Sequence, residues 1–528
     1  MNIDIPARGG TADDPTASVV IGLDAVTIDD LARVAGGARV RLAVQALERT
    51  SATHDELARV LASGRRVYGL TTGVGDFHGV GVAAADVSEV QLHMLMSHAS
   101  GVGTPHDEPA VRAIMVALIA ALIKGYSGVS PHLVRTLAAM LNRGVTPWCP
   151  GQGSVGYLIA TAHIGLVVFG AGKAWYGGQL LEGGDAMRQA GIEVRPPALR
   201  DGHALISGTY EVTGIGALAV HHAQRLVDVA DVAGALSLEA LRGNTRGYDL
   251  RLQQLRPHRG QYLTAQRMLR IVADSEILAH SIDERLQDPL SLRCIPQVHG
   301  AVRDTIDYCA GVLETELNSV TDNPVFVEEN GELVSLHGGN GHGAPSALAL
   351  DYLAIAIAEL STISQARSDR LTNSYVNGLP PFLTPRAGVD SGFMIPPYVA
   401  AAIAAENRLL ASPSTVHTVS TCAGQEDHVS MGVSAAVHAR TAASNCTSIL
   451  AVEMLCAAQA LEFRSARTPG RGTLAAYTCI RSAVPSWEHA REMHQDLASI
   501  RDLIDGGSLA AAVSAALVGT DTIEDTHP

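Results

Sequence analysis

The chain has 528 residues, 47% of them hydrophobic and only 17% charged, with a formal net charge of −15 at pH 7. That length supports a large core in one very large domain or two, and so little charge on so apolar a chain predicts a large buried fraction and an oligomer. The acidic balance, without any basic run, argues against nucleic-acid binding and against attraction to an anionic membrane surface.

Residues 1–16 read as a flexible leader, polar and without the pattern of a signal peptide. Thr27-Ile-Asp-Asp30 reads as a capping box with Asp in place of Glu, opening a helix through Val34 that stops at Gly36-Gly37. Residues 40–62 read as further helix. Arg66-Val-Tyr-Gly-Leu-Thr-Thr-Gly-Val-Gly75 breaks the helical period with three glycines and two threonines, which predicts a loop with Tyr68 at its start. Helical patterning returns from Val87 to Leu141, interrupted at Ser97-His-Ala-Ser-Gly-Val-Gly103. Its apolar stretch Ala113–Ile123 is too short to span a bilayer.

Gly151-Gln-Gly-Ser-Val-Gly156 then packs three glycines into six residues, the mark of a tight, crowded turn. It feeds a stretch apolar at helical spacing (Leu158, Ile159, Ala162, Ile164, Leu166, Val167), which predicts a buried helix. Neither GxxxxGK[ST] nor GxGxxG is present, so a phosphate site is not expected here. Residues 171–200 read as a small hairpin around Ala174-Trp-Tyr-Gly-Gly-Gln179 and a short helix. Long helices are predicted at 219–241, 297–319, 344–371, 396–411 and 427–462, and an acidic, disordered tail from Gly519. This gives a mainly α fold in four parts: leader 1–16, N-terminal part 17–200, helical core 201–518 and tail 519–528.

Only two lysines occur, Lys124 and Lys173, which leaves few candidates for Schiff-base chemistry. The seven cysteines are odd in number and form no CxxC pair, as expected of reduced thiols in a cytoplasm. No His/Cys/Asp/Glu spacing suggests a metal site; His337 and His342 alone are a weak pair. Tyr68 on its loop is either a packed tyrosine or a functional one. A phenol titrates near 10, so a basic Tyr68 needs a neighbouring cation or hydrogen-bond donors. Arg293, inside the apolar run Leu290-Ser-Leu-Arg-Cys-Ile-Pro-Gln-Val-His-Gly300, needs a buried partner, such as Asp or Glu on a neighbouring helix. Glu426, Asp427 and His428 could cap a helix starting there.

Several of these strings together resemble the histidine and aromatic amino-acid ammonia-lyase and aminomutase family, nearly from the first helix to about residue 465. The resemblance rests on Gly153-Ser-Val-Gly156, Tyr157-Leu-Ile-Ala-Thr-Ala-His163, Tyr68-Gly-Leu-Thr-Thr-Gly-Val-Gly75, Leu290-Ser-Leu-Arg293, Glu316-Leu-Asn-Ser-Val-Thr-Asp-Asn-Pro324 and Gln425-Glu-Asp-His-Val-Ser-Met431. It implies an ammonia-lyase-like long helical bundle with a smaller N-terminal part, and a homotetramer with active sites shared between subunits. Tyr68 would be the acid–base residue of a mobile lid, and Glu426 a second acid–base or amine-binding group. Arg293 would grip a substrate carboxylate, with the Tyr68 lid and Arg293 coming from different chains. His98 would face the substrate ring and suit a polar ring or a hydroxyl better than a plain phenyl. Asn323, Gln425, Ser207, Leu290 and Gly341 would line the pocket.

The departures cluster. In the family, Gly-Ser-Val-Gly is followed by an Ala-Ser-Gly that cyclises to the electrophile 4-methylideneimidazol-5-one (MIO). Here Gly156 runs straight into Tyr157, where the family has an aspartate, and Ala160 replaces a proline. Ser207 stands for an asparagine, Leu290 for a tyrosine, and Gly341 and Ala344 for a phenylalanine and a glutamine. Because the residues that support the ring change together, the expectation is an enzyme that works without MIO and without any cofactor. It would use tyrosine acid–base chemistry on an activated, carboxylate-bearing substrate: elimination, addition, cyclisation or isomerisation. Two alternatives stand beside it. One is an MIO-dependent histidine or aromatic ammonia-lyase or 2,3-aminomutase; the other is a catalytically silent homologue paired with an active subunit.

Overall fold

The computed structural model describes residues 18–464 and 466–518. The predicted leader and acidic tail lie outside the described residues. The fold is mainly α, with short strands in two- and three-stranded sheets.

The chain forms two compact units, neither of them one continuous stretch. Among the described residues, the first comprises 18–218, 310–348 and 414–436; the second comprises 219–309, 349–413, 437–464 and 466–518. The long helices Tyr210–Ala240, Ile295–Leu317, Ala344–Thr372 and Gly432–Glu462 each begin in one unit and end in the other.

In the first unit, the helix Ile28–Ala35 opens as its sequence dictates. Thr27 Oγ1 accepts from the Asp30 amide at 3.0 Å while the Asp30 carboxylate accepts from the Thr27 amide, and Gly36 ends the helix. The predicted helix 40–62 is split. Val40–Leu42 is a strand paired in parallel with Val19–Ile21, and helix begins only at Val44. The strand is too short to show a period, and its pairing partner lies outside any local window. Helix Glu108–Leu122 has Asp107 as its cap and is buried from Ala110 onward. The hairpin Lys173–Tyr176/Gln179–Glu182 turns where Gly177-Gly178 allows it. The predicted long helices 297–319, 344–371 and 396–411 occur within two residues of their expected bounds, whereas the one expected at 219–241 starts nine residues earlier, at Tyr210. The last begins at Gly432 rather than 427, so Gln425–Met431 is loop.

Helices Ala344–Thr372 and Gly432–Glu462 are long and apolar enough to cross a membrane, yet 72% and 78% of their most apolar windows are buried by the protein itself, as in core helices.

Candidate active site

A turn, a loop and a buried ion pair build the candidate site in the first unit. At its base lies Arg200, fully buried against Asp322 with two N–O contacts of 2.9 and 3.2 Å. The guanidinium also donates to the carbonyls of Ser127, Asn323 and Pro324, so nearly every proton of the fork is used. Its Nη2 lies 3.1 Å from His203 Nδ1. Burial first, and then the Arg200 charge, hold His203 well below the usual histidine range, so the ring is neutral and Nδ1 accepts.

Tyr68 stands over this base. Its ring meets His203 edge-on at 5.5 Å and His337 at 6.1 Å. Its hydroxyl accepts from the Gly75 amide at 2.8 Å, which folds the glycine-rich loop back onto its own tyrosine. The sequence left open what would lower this phenol. The Gly75 donor does so and distant Arg200 helps, but burial outweighs both, and the charge of Glu426 adds to it. The phenol is raised, so Tyr68 carries its proton at neutral pH in this chain.

Glu426 lies on the loop before helix Gly432–Glu462, not at a helix start, so neither it nor Asp427 or His428 is a cap. It is held by the backbone bridge Thr421–Glu426, and the Thr421 hydroxyl donates to its carboxylate at 3.2 Å. Burial and then Glu426 push the Tyr157 phenol up strongly. The turn that presents Tyr157 is strained. Leu158 adopts φ +83°, and Gly156 adopts φ +144°, where a Cβ would lie 2.3 Å from Ser430 Oγ. Next to it the Met431 amide donates to the Val155 carbonyl at 2.8 Å, tying the turn to the loop that bears Glu426.

The remaining predicted residues divide between the units. Ser207 donates to Asp322, and Asn323 accepts from the Gly338 amide at 3.1 Å. Gly341 comes close to Ser207: a Cβ there would lie 2.7 Å from the Ser207 carbonyl. His98 ends helix Val87–His98, with Nδ1 2.7 Å from the Met94 carbonyl. Gln425 is exposed on the Glu426 loop. Leu290 and Arg293 belong to the second unit. Among the described residues Arg293 has no carboxylate partner of the kind a structural role would give it; it donates to the Gln287 amide oxygen at 3.0 Å, and its Nε is buried without a partner.

Sequence reasoning missed Arg200, His203 and Asp322, and singled out Tyr157 only as a change near the missing tripeptide. A buried arginine after Pro196-Pro197 in a low-charge chain was the available signal for Arg200. No group of three or more His, Cys, Asp or Glu among the described residues could hold a metal, although His342 and His428 approach to 3.1 Å.

The chain matches the family described as aromatic amino acid lyase over residues 26–482. The chain belongs to the aromatic amino acid lyase family. Within it, a histidine ammonia-lyase from Gloeobacter violaceus is 45% identical, covering 93% of this chain and 96% of its own. Among solved structures, tyrosine aminomutase from Streptomyces globisporus superposes with a TM-score of 0.91 at 33% identity, covering 95% of this chain and 99% of that one. Histidine ammonia-lyase from Trypanosoma cruzi gives 0.88 at 32%, covering 97% and 99%.

These relatives overturn the expectation of an enzyme that works without MIO, and with it the expectation of no cofactor. Full-length identity of this size to a histidine ammonia-lyase points to the MIO-dependent histidine ammonia-lyase named above as an alternative. At the turn itself the residues present do not build the ring. Gly156 is bonded to Tyr157, and Gly156 is pressed against Ser430. The string Ala-Ser-Gly does occur at 62–64 and 99–101, each at the end of a helix. Gly101 packs beside the start of helix Ile159–Val168, where a Cβ would lie 2.8 Å from Ile159.

Proposed function

We propose that this chain is a histidine ammonia-lyase, removing ammonia and a β-proton from L-histidine to leave an unsaturated acid. The observation that carries this reading is the 45% identity to a histidine ammonia-lyase along 93% of the chain. The Gln425-Glu-Asp-His428 string on the site loop supports it.

Elimination needs a group to take the β-proton and a charged group to manage the amine. Tyr68 takes the first role and Glu426 the second. Burial holds the Tyr68 phenol protonated in the free chain, so a cation must arrive before it can act as a base. The substrate ammonium, drawn in by Glu426, is such a cation. Arg293, free of a carboxylate partner, grips the substrate carboxylate through its planar fork, and His98 meets the imidazole ring. The protein works as a homotetramer in which the Tyr68 loop and Arg293 of one site come from different chains.

The test is to incubate the purified protein with L-histidine and follow ammonia release and the near-ultraviolet absorbance of the conjugated product, with tyrosine and phenylalanine as comparisons. Intact mass and peptide mapping accompany it: a mass below that of the sequence by two waters, one lost in ring closure and one in dehydration of the serine, mapped to one peptide, locates an internal ring. Absence of histidine turnover by the tetramer refutes the reading. A second reading, a 2,3-aminomutase, is favoured by the 0.91 TM-score to a tyrosine aminomutase. It would be recognised by a β-amino acid product.

A further inference from the structure

We propose that Gln91 is a positioning residue for Tyr68: its side-chain amide holds the backbone beneath the phenol by bridging the Gly69 carbonyl and the His203 amide. This deepens the histidine ammonia-lyase reading and rests on it for the role of Tyr68.

Gln91 lies on helix Val87–His98 and is completely buried. Its Nε2 donates to the Gly69 carbonyl at 2.9 Å, and its Oε1 accepts from the His203 backbone amide at 2.7 Å. A carbonyl can only accept and a backbone amide can only donate, so the two partners fix which way the Gln91 amide faces. Each bond answers a need of the backbone. His203 stands in the first turn of helix Asp201–Ile206, where an amide has no partner within its own helix. Gly69 adopts φ +67°, and a Cβ there would collide with the His203 ring. The loop backbone therefore lies directly on the imidazole, and the Tyr68 ring meets the same imidazole edge-on at 5.5 Å. A Cβ at Gly202 would lie 2.5 Å from the Gln91 carbonyl, so the helix that carries His203 is seated on the helix that carries Gln91.

The segment around Tyr68 is anchored at its base and open at its tip. The Thr71 amide donates to the Val67 carbonyl at 2.9 Å, and the Thr71 hydroxyl accepts from the Val67 amide at 2.7 Å, which closes a turn around Tyr68 and Gly69. Val67 and Leu70 pack in an apolar cluster with Leu57, Val60 and Val87. Such packing sets the depth of the turn but is non-directional, and the two hydrogen bonds of Gln91 supply the direction. Residues 76–81 form the exposed tip. With the base held in this way, the tip can move without changing the aim of the phenol. The helix that bears Gln91 ends at His98, so one element carries both the anchor of Tyr68 and the residue that meets the substrate ring. Gln91 acts through the loop backbone and need not touch the substrate.

The experiment starts from Gln91→Met, which keeps the length of the side chain and removes both bonds. It is expected to lower kcat for L-histidine roughly tenfold to a hundredfold, the scale on which a misplaced reacting group costs rate, with KM changed by less than about threefold. In a Tyr68→Phe background the same substitution is expected to cost less than about twofold, because its effect runs through the phenol. A full additive loss in that background overturns the proposal, since a glutamine that only supports the fold would show one. A second readout is independent of activity: hydrogen exchange of the 66–75 segment, followed by mass spectrometry. Gln91→Met is expected to speed that exchange about tenfold, while helix Glu108–Leu122 keeps its parental protection. Gln91→Asn retains an amide too short to reach both partners, and it should speed the same exchange if Gln91→Met does not fold. Parental exchange of the segment in the folded variant refutes the bridge, whether or not the protein turns over histidine. Faster exchange in the variant of a parent inactive on histidine leaves the bridge standing and refutes the substrate.

Discussion

In the second unit a polar cluster is sealed into the core. Arg367 binds Glu453 through Nε at 2.5 Å and Nη2 at 2.9 Å, and both side chains are fully buried. Ser237 and Ser364 donate to the two oxygens of the same carboxylate, each at 2.6 Å. Arg367 reaches His299, which binds Asp231, which in turn binds Arg303 at 2.8 Å. In the first unit Tyr68, Tyr157 and Glu426 use similar chemistry in a different setting. They stand on loops, Glu426 and both tyrosines are only half-buried, and the backbone around them is strained at Leu158, Cys422, Ala423 and Met431, all with positive φ. In the sealed cluster the donors and acceptors around Glu453 are matched, with Arg303 Nε left over at its edge, which fixes a core. The loop cluster keeps raised phenols and an accessible carboxylate in a strained frame, the arrangement found where chemistry is done.

The largest expected effect is on the loop cluster. Tyr68→Phe should lower turnover of L-histidine by about 10²- to 10⁴-fold, the usual worth of a positioned acid–base group, while thermal unfolding stays within a few degrees of the parent. Equal loss of activity and of folding would make Tyr68 a packing residue and erase the contrast.

The sealed cluster should respond in the opposite way. Arg367→Ala leaves Glu453 buried without its partner and should cost about 3–5 kcal/mol of stability, read as a lower denaturation midpoint. Replacing the pair together, Arg367→Met with Glu453→Leu, should restore much of it. If the double replacement is as damaging as the single one, the cluster does more than fix the core.

A third test uses Glu239 of the second unit. Burial pushes its carboxyl up to about 7 from 4.5, although the Gly470 amide donates to it at 2.8 Å. A raised acid binds its proton more tightly in the folded state, so its contribution is complete at low pH. It is lost as pH rises from about 4.5 through about 7. Relative to Glu239→Gln, the parent should lose up to about 3 kcal/mol of stability across that window. Equal slopes in the two proteins, measured by denaturant unfolding, would show that the carboxyl is not buried as described. The smallest effect is at Thr27→Ala, where loss of the capping box should cost about 1 kcal/mol without touching activity.

Local rules were legible in the residues. Thr27 and Asp30 announce a helix start because both bonds of a capping box lie within three residues. The hairpin at Gly177-Gly178 and the break at Tyr68–Gly75 were readable for the same reason. The strand Val40–Leu42 was not, because its pairing partner lies outside any local window. Nor was the late start of helix Gly432–Glu462, where acidic residues gave a cap signal that the loop uses otherwise. Among the candidate residues, Tyr68, Glu426, His98 and Asn323 stood out through strings that resemble a family, and Arg200 and Asp322 did not. The inference from the missing tripeptide to an MIO-free enzyme failed because it weighed a few substitutions around one turn against the similarity of the whole chain.

The sequence by itself determined the mainly α character, most helix bounds and the family, since helical period, caps and extended strings of residues are carried along the chain. Only the tertiary structure decided that Arg200 would seal Asp322 from 122 positions away, and that Gly156 would seat against Ser430. Such pairs have no periodic signature. They exist because the backbone, pinned by Met431 to Val155 and pressed close at Gly156, brings distant segments within reach of a hydrogen bond.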